Sequence, residues 1–175
     1  LLAQEASFDV DLTVSDIEGE VLDADVAILH GAGNWPGYDA ALLFRDDIFP
    51  VCAPGYLERH PVQSVQDLIT ADLIDLDYIR WNWINWGIWF AETGLERSEA
   101  RIVVRTNSYA SQIDAARMGL GVALGWGNLL ADEIGQGTLI RPVPQSVDTG
   151  YGYYVLCRDG AGEAARSAWG AMASL

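Results

Sequence analysis

Apolar and polar residues alternate with period two over residues 8–14 (FDVDLTV), which predicts a half-buried strand. Residues 24–29 (ADVAIL) form a short apolar run, the pattern of a strand covered on both faces. The turn formers Gly31-Ala32-Gly33-Asn34-Trp35-Pro36-Gly37 follow and predict a loop. Extended segments are expected over residues 40–44 and 48–52, the second limited by Pro50, which has no amide hydrogen for a ladder. Ser64 with Asp67 three residues on has the form of a capping box, opening a short helix over residues 65–70. Residues 81–90 hold tryptophans at 81, 83, 86 and 89; Trp86 and Phe90 share a helical face, and Gly94 is placed to stop that helix. Residues 101–105 read as a strand, after which Asn107 or Ser108 caps a helix to about Met118, ended by a left-handed Gly119. Strands are expected at 122–124, 139–140 and 153–156, and a short helix at 129–134. A last helix spans 163–172, with Ala165, Trp169 and Met172 on one face. Helices alternating with short apolar strands make the class α/β. No internal repeat or low-complexity linker marks a domain boundary.

Composition narrows the function classes. The 175 residues suffice for one domain or two small lobes, and half are apolar and a fifth charged, as in ordinary soluble proteins. No run approaches the ~18–20 apolar residues of a membrane span. No basic-then-apolar leader is visible, and a chain starting at Leu1 without Met reads as a fragment. The net charge is −15, with ten basic residues against 25 acidic ones. Nucleic-acid binding draws on Lys and Arg meeting phosphates, so this segment is not expected to grip DNA itself. The acidity reads as a solvated surface, compatible with a basic module elsewhere in the protein. Cys52 and Cys157 stand in separate apolar runs with no CxxC and no Cys/His cluster, and read as buried structural thiols.

Catalytic motifs are missing: there is no GxSxG, HExxH or P-loop. His30 ends a strand and His60 precedes Pro61, neither beside a Ser or Cys in a triad role. Gly31 to Gly37 departs from GxGxxG, since Pro36 stands where the third glycine belongs and a strand follows instead of a helix. Gly119, Gly121, Gly125 and Gly127 come after a helix and surround a strand, the reverse of the nucleotide-binding order. The junction Arg105-Thr106-Asn107-Ser108-Tyr109 is more informative. A helix N-terminus offers free backbone N–H groups and a partial positive charge, and ligands of open α/β sheets settle beyond the carboxyl ends of strands. Either the junction holds a carboxylate or another polar group, or Asn107 and Ser108 merely cap the helix. Trp35 is placed to close over a ligand. The four tryptophans from 81 to 89 line a pocket or, the favoured reading, form the core of a small lobe. A base-stacking platform lacks its basic groove.

Four segments in order carry a family resemblance: residues 25–31 (DVAILHG) running into 33–37 (GNWPG), 43–44 through 49–54 (FPVCAP), 106–108 (TNS) through 115–124 (AARMGLGVAL), and 137–142 (GTLIRP). The chain resembles the effector-binding domain of LysR-type transcriptional regulators, in the glycine-cleavage-activator-like branch, from about Phe8 to the last helix. The resemblance implies a type 2 periplasmic-binding-protein fold, two α/β lobes with a ligand cleft between them. Residues 1–52 plus 158–175 are then lobe I and 53–157 lobe II, with hinge positions at Val51, Cys52, Val155 and Cys157. Crossing strands run side by side in this fold, so Cys52 and Cys157 are expected close together and reduced. The implied ligand contacts are Ser15, His30, Asn34 and Trp35 from lobe I, and Thr106, Asn107, Ser108, Tyr109 and Trp126 from lobe II.

The resemblance further implies a cytoplasmic, non-enzymatic sensor of a small-molecule effector with no cofactor, metal or membrane. It implies a homodimer or homotetramer that reaches DNA only through an N-terminal helix-turn-helix not in this sequence. Many members of the branch carry Arg where this chain has Leu29 or His30; if that Arg is what binds an anionic effector, an acidic ligand is not expected here. The family's first strand and the helix start after it, which also contact ligand, belong before Leu1. The rival readings are a transporter's solute-binding protein with the same fold, an enzyme, and a ligandless dimerisation domain.

Overall fold

The structure, a computed structural model, describes residues 11–13, 24–76, 84–95 and 100–174. Of the strand expected over residues 8–14 only 11–13 are described, and they are not in a strand; Ser15, Trp81 and Trp83 lie outside the described residues. In chain order the elements are β1 (Val26–Gly31), β2 (Tyr38–Val51), α1 (Pro54–Arg59), a 3-10 turn (Val65–Ile69), β3 (Asp72–Leu76), α2 (Trp86–Glu92), β4 (Arg101–Thr106), α3 (Tyr109–Arg117), β5 (Ala123–Trp126), a second 3-10 turn (Gly127–Leu130), α4 (Ala131–Gly135), β6 (Val147–Arg158) and α5 (Glu163–Met172). They fall into two compact units, Leu1–Asp46 with Gly150–Leu175, and Asp47–Thr149.

In the first unit β1 runs antiparallel to β6, with Val26 opposite Cys157 and His30 opposite Tyr153. β2 lies on the other side of β6. Gly152 is where β6 comes closest to β2: a Cβ there meets the Phe44 carbonyl oxygen at 2.7 Å, so only glycine fits. α5 closes this unit, as its sequence pattern predicts. Its half-buried Trp169 donates from the indole N–H to the Val155 carbonyl at 3.0 Å.

In the second unit β3 and β4 pair in parallel. Val122 bridges to the far side of β3 through Ile74 N–H to Val122 O and Val122 N–H to Asp72 O, both 2.8 Å. β5 then pairs antiparallel with the last residues of β2, Ile48 opposite Trp126. The β3–β4 pair thus meets the β5–β2 pair through the single bridge of Leu73 with Val122. Ile113 and Ala116 on α3 pack against Ile74, Val51, Leu139 and Phe49, each large side chain contributing about 1.5–3 kcal/mol by burial. Trp86, Trp89 and Phe90 on α2 are fully buried. Their indole N–H groups are satisfied at the carbonyls of Ile74 (2.9 Å) and Ile48 (3.2 Å), so these two tryptophans are core.

Two expected segments merge into the single β2, because residues 45–47 between them are extended as well, in a strand that lies beside β6 and then pairs with β5, Pro50 included. Ser64 and Asp67 do form the capping box, but over a 3-10 turn. Gly94 (φ 81°) and Gly119 (φ 73°) take the left-handed conformation expected at the helix ends. Both cysteines are free and fully buried; burial pushes the Cys52 thiol up to about 12, which keeps it protonated and unreactive.

Candidate effector-contacting clusters

The start of α3 is a tightly bonded turn. Ser108 is the N-cap, extended at φ −119° and ψ 120°, and its Oγ accepts the Ser111 N–H at 3.4 Å. Thr106 Oγ1 accepts the Ser108 N–H at 3.1 Å. The Tyr109 hydroxyl oxygen accepts the Trp126 N–H at 3.1 Å, and the two rings meet edge-on with centroids 4.4 Å apart. Trp126 is only 3% exposed, so its ring supports Tyr109 and does not face solvent. Asn107 is exposed. No acidic residue occupies the first turn of α3, so the positive end of the helix is not neutralised by its own side chains.

Topology gives this turn its meaning. The chain leaves β3 for β4 on one side and returns through α3 to β5 on the other side of β3. The carboxyl end of such a switch point is where open α/β sheets bind ligands, and Thr106 and Trp126 are the last residues of β4 and β5.

The other predicted residues belong to the first unit. His30 Nε2 lies 2.8 Å from Asp46 Oδ2, with the His30 side chain 15% exposed and that of Asp46 1%. The imidazole stands against Tyr153 (centroids 5.1 Å) and Tyr151 (5.8 Å), and Tyr153 against Phe44 (4.9 Å). Burial, and then the nearby Asp46 carboxylate, push the Tyr153 phenol up to about 12. Trp35 folds back over Gly31, where a Cβ meets the indole at 2.8 Å, and packs edge-on against Tyr154 at 5.5 Å. Asn34 is exposed. The structure thus gathers Thr106, Ser108, Tyr109 and Trp126 in one place and His30 in another, while Trp35 joins Tyr154.

Asp46, Tyr151 and Tyr153 escaped the sequence reading. The period-two spacing of Tyr151 and Tyr153 was the one available signal. Among the described residues no three His, Cys, Asp or Glu side chains could share a metal ion, and no helix is long and apolar enough to cross a membrane.

The model of the LysR substrate binding domain family matches residues 4–174. The chain belongs to that family. It is 30% identical over 142 residues to the glycine cleavage system transcriptional activator of Escherichia coli (strain K12), covering 81% of this chain and 45% of that protein. It is 31% identical over 137 residues to the transcriptional activator AmpR of Pseudomonas aeruginosa, covering 77% of this chain and 43% of the activator. It therefore spans less than half the length of these curated relatives, which are transcriptional regulators and not enzymes. The solved effector domain of P. aeruginosa AmpR superposes with a TM-score of 0.67 at 26% identity, over 90% of this chain and 76% of that one. The regulatory domain of AphB from Vibrio vulnificus gives 0.69 at 18% identity over 99% of this chain and 87% of that one, a likeness of fold. This LysR substrate-binding domain has the type 2 periplasmic-binding-protein-like fold of those effector domains.

Proposed function

We propose that this LysR substrate-binding domain is the sensing part of a cytoplasmic, non-enzymatic transcription regulator, and that a small metabolite contacts it at the start of α3. The observation that carries the reading is the switch-point turn of Thr106, Ser108 and Tyr109 on a helix N-terminus without an acidic residue. His30, Asn34, Trp35 and Ser15 are proposed as contacts from the other unit, and Tyr151 joins them through its ring contact with His30. Residues 1–52 with 158–175 and residues 53–157 are proposed as the two lobes, with Val51, Cys52, Val155 and Cys157 at the crossings. The metabolite acts by favouring one of two protein arrangements. The assembly proposed is a homodimer or homotetramer that meets DNA through another part of the protein.

Thermal denaturation against amino acids, small carboxylates, aromatic acids and purines tests this. An effector at a hundred times its Kd shifts Tm by roughly 5–10 °C for a chain of this size, and Ser108→Ala abolishes the shift. A shift that survives Ser108→Ala sinks the placement of the site, and no shift with any of these classes sinks the sensor reading.

A further inference from the structure

Beyond Val122 the strands β3 and β5 part. Their pairing ends with the bridge at Leu73 and Val122, after which β5 bonds to β2. The Ile74 carbonyl, on the side that faces β5, is left without a ladder donor. Two side chains replace it, the Trp86 indole N–H at 2.9 Å and the Gln112 amide N–H at 3.3 Å. They come from α2 and α3 and converge on the fork between the strands. Gln112 lies one turn, about 6 Å, beyond Ser108 on α3, so this fork adjoins the proposed effector site.

Gln112 is 1% exposed, and its Oε1 has no hydrogen-bond partner among the described residues. The amide cannot be turned round, because a carbonyl oxygen donates nothing to the Ile74 carbonyl; Nε2 must face Ile74 and Oε1 must face away. Folding alone gives no reason for this choice. Methionine fills a similar volume in the same rotamers without an orphaned acceptor. Tyr109, whose hydroxyl oxygen accepts the Trp126 N–H at the end of β5, packs against the cluster that includes Ile74.

We infer that Gln112 is a specificity-determining residue whose Oε1 accepts a hydrogen bond from the effector. The inference rests on the helix-start reading above. The effector is then a small acid, against the expectation drawn from the missing Arg at position 29 or 30: its carboxylate meets the first turn of α3, whose positive end no acidic side chain of that turn offsets, and it carries an amine or hydroxyl donor beside it. It enters by displacing the Tyr109 to Trp126 hydrogen bond. Plain carboxylates are rejected because they leave the buried acceptor unmet.

Matched sets decide the matter: L-alanine, L-lactate and propionate, and L-phenylalanine, L-phenyllactate and 3-phenylpropionate, titrated calorimetrically into the full chain. In at least one set the donor-bearing acids bind roughly 5- to 100-fold tighter than the plain acid. Gln112→Met keeps the ligand-free Tm within a few degrees and brings that ratio close to one, and Ser108→Ala weakens every member of the set together. Binding untouched by Ser108→Ala overturns the helix-start reading. Binding lost in Ser108→Ala with the donor preference intact in Gln112→Met overturns the present inference alone. Should Gln112→Met not fold, Gln112→Leu repeats the comparison. In the unaltered chain, equal affinity with and without the donor, or no binding by any donor-bearing acid, overturns the inference by itself.

Discussion

The two clusters are built from opposite materials. At the start of α3 the groups come from residues 106–109 plus Trp126, and their bonds join hydroxyls to backbone amides, with no full charge among them. Around His30 the groups come from β1, β2 and β6 and centre on the Asp46 carboxylate, which is almost wholly out of solvent. A neutral hydrogen bond contributes about 0.5–1.5 kcal/mol net, whereas removing one partner of a buried ionisable pair costs about 3–5 kcal/mol. One cluster is therefore a local device that can be altered with the fold intact. The other is also part of what holds its own unit together.

The largest test of that contrast is His30→Leu. It takes the imidazole away from Asp46 Oδ2 and is expected to lower stability by about 2–4 kcal/mol, seen as a lower urea midpoint at unchanged slope. The double variant His30→Leu with Asp46→Leu is expected to regain most of the loss, since an apolar pair no longer buries a carboxylate deprived of its imidazole. A single variant within about 0.5 kcal/mol of the parent, the range of surface substitutions, breaks the contrast.

Alkaline titration probes the same cluster from β6. The Tyr153 phenol is raised from 10.0 to about 12, so its neutral form is favoured by folding. The stabilisation is complete below pH 10 and is lost as the pH climbs towards 12, to an extent on the order of 1–2 kcal/mol given the partial exposure of the ring. Circular dichroism between these limits is expected to show alkaline loss of structure that Tyr153→Phe moves to higher pH. An unchanged alkaline midpoint in Tyr153→Phe removes Tyr153 from the stability argument.

The same contrast explains what the sequence disclosed. The α3 junction was legible because capping, a strand end and a left-handed glycine are signals within a dozen residues. α5 was legible because its apolar residues repeat at helical spacing. β3 was not: Asp72-Leu73-Ile74-Asp75-Leu76 is short and carries two aspartates, and only β4 and Val122 on its flanks make it a strand. β6 read as four residues and spans twelve, because Gly150 and Gly152 interrupt an apolar pattern that cross-strand contact restores. α1 has a single buried residue, Tyr56, and so no amphipathic pattern to find. Asp46 had no local signal, since its partner stands sixteen residues away. Gln112 did leave a trace, as a polar residue on the face of α3 that buries Ile113 and Ala116, but its meaning depends on where β3 and β5 part.

The smallest effects are expected within the α3 turn, and they separate its two neighbouring side chains. Ser108 caps the helix through the Ser111 N–H, so Ser108→Ala costs about 1 kcal/mol. Asn107 is exposed and makes no hydrogen bond among the described residues, so Asn107→Ala is expected to stay within about 0.5 kcal/mol of the parent. Urea denaturation of the two variants reads the difference directly. If Asn107→Ala costs as much as Ser108→Ala, both residues are capping elements and Asn107 loses its claim as a ligand contact. If its cost is negligible and effector binding nevertheless falls, the Asn107 side chain has no part in holding the turn together, and its contribution is to recognition.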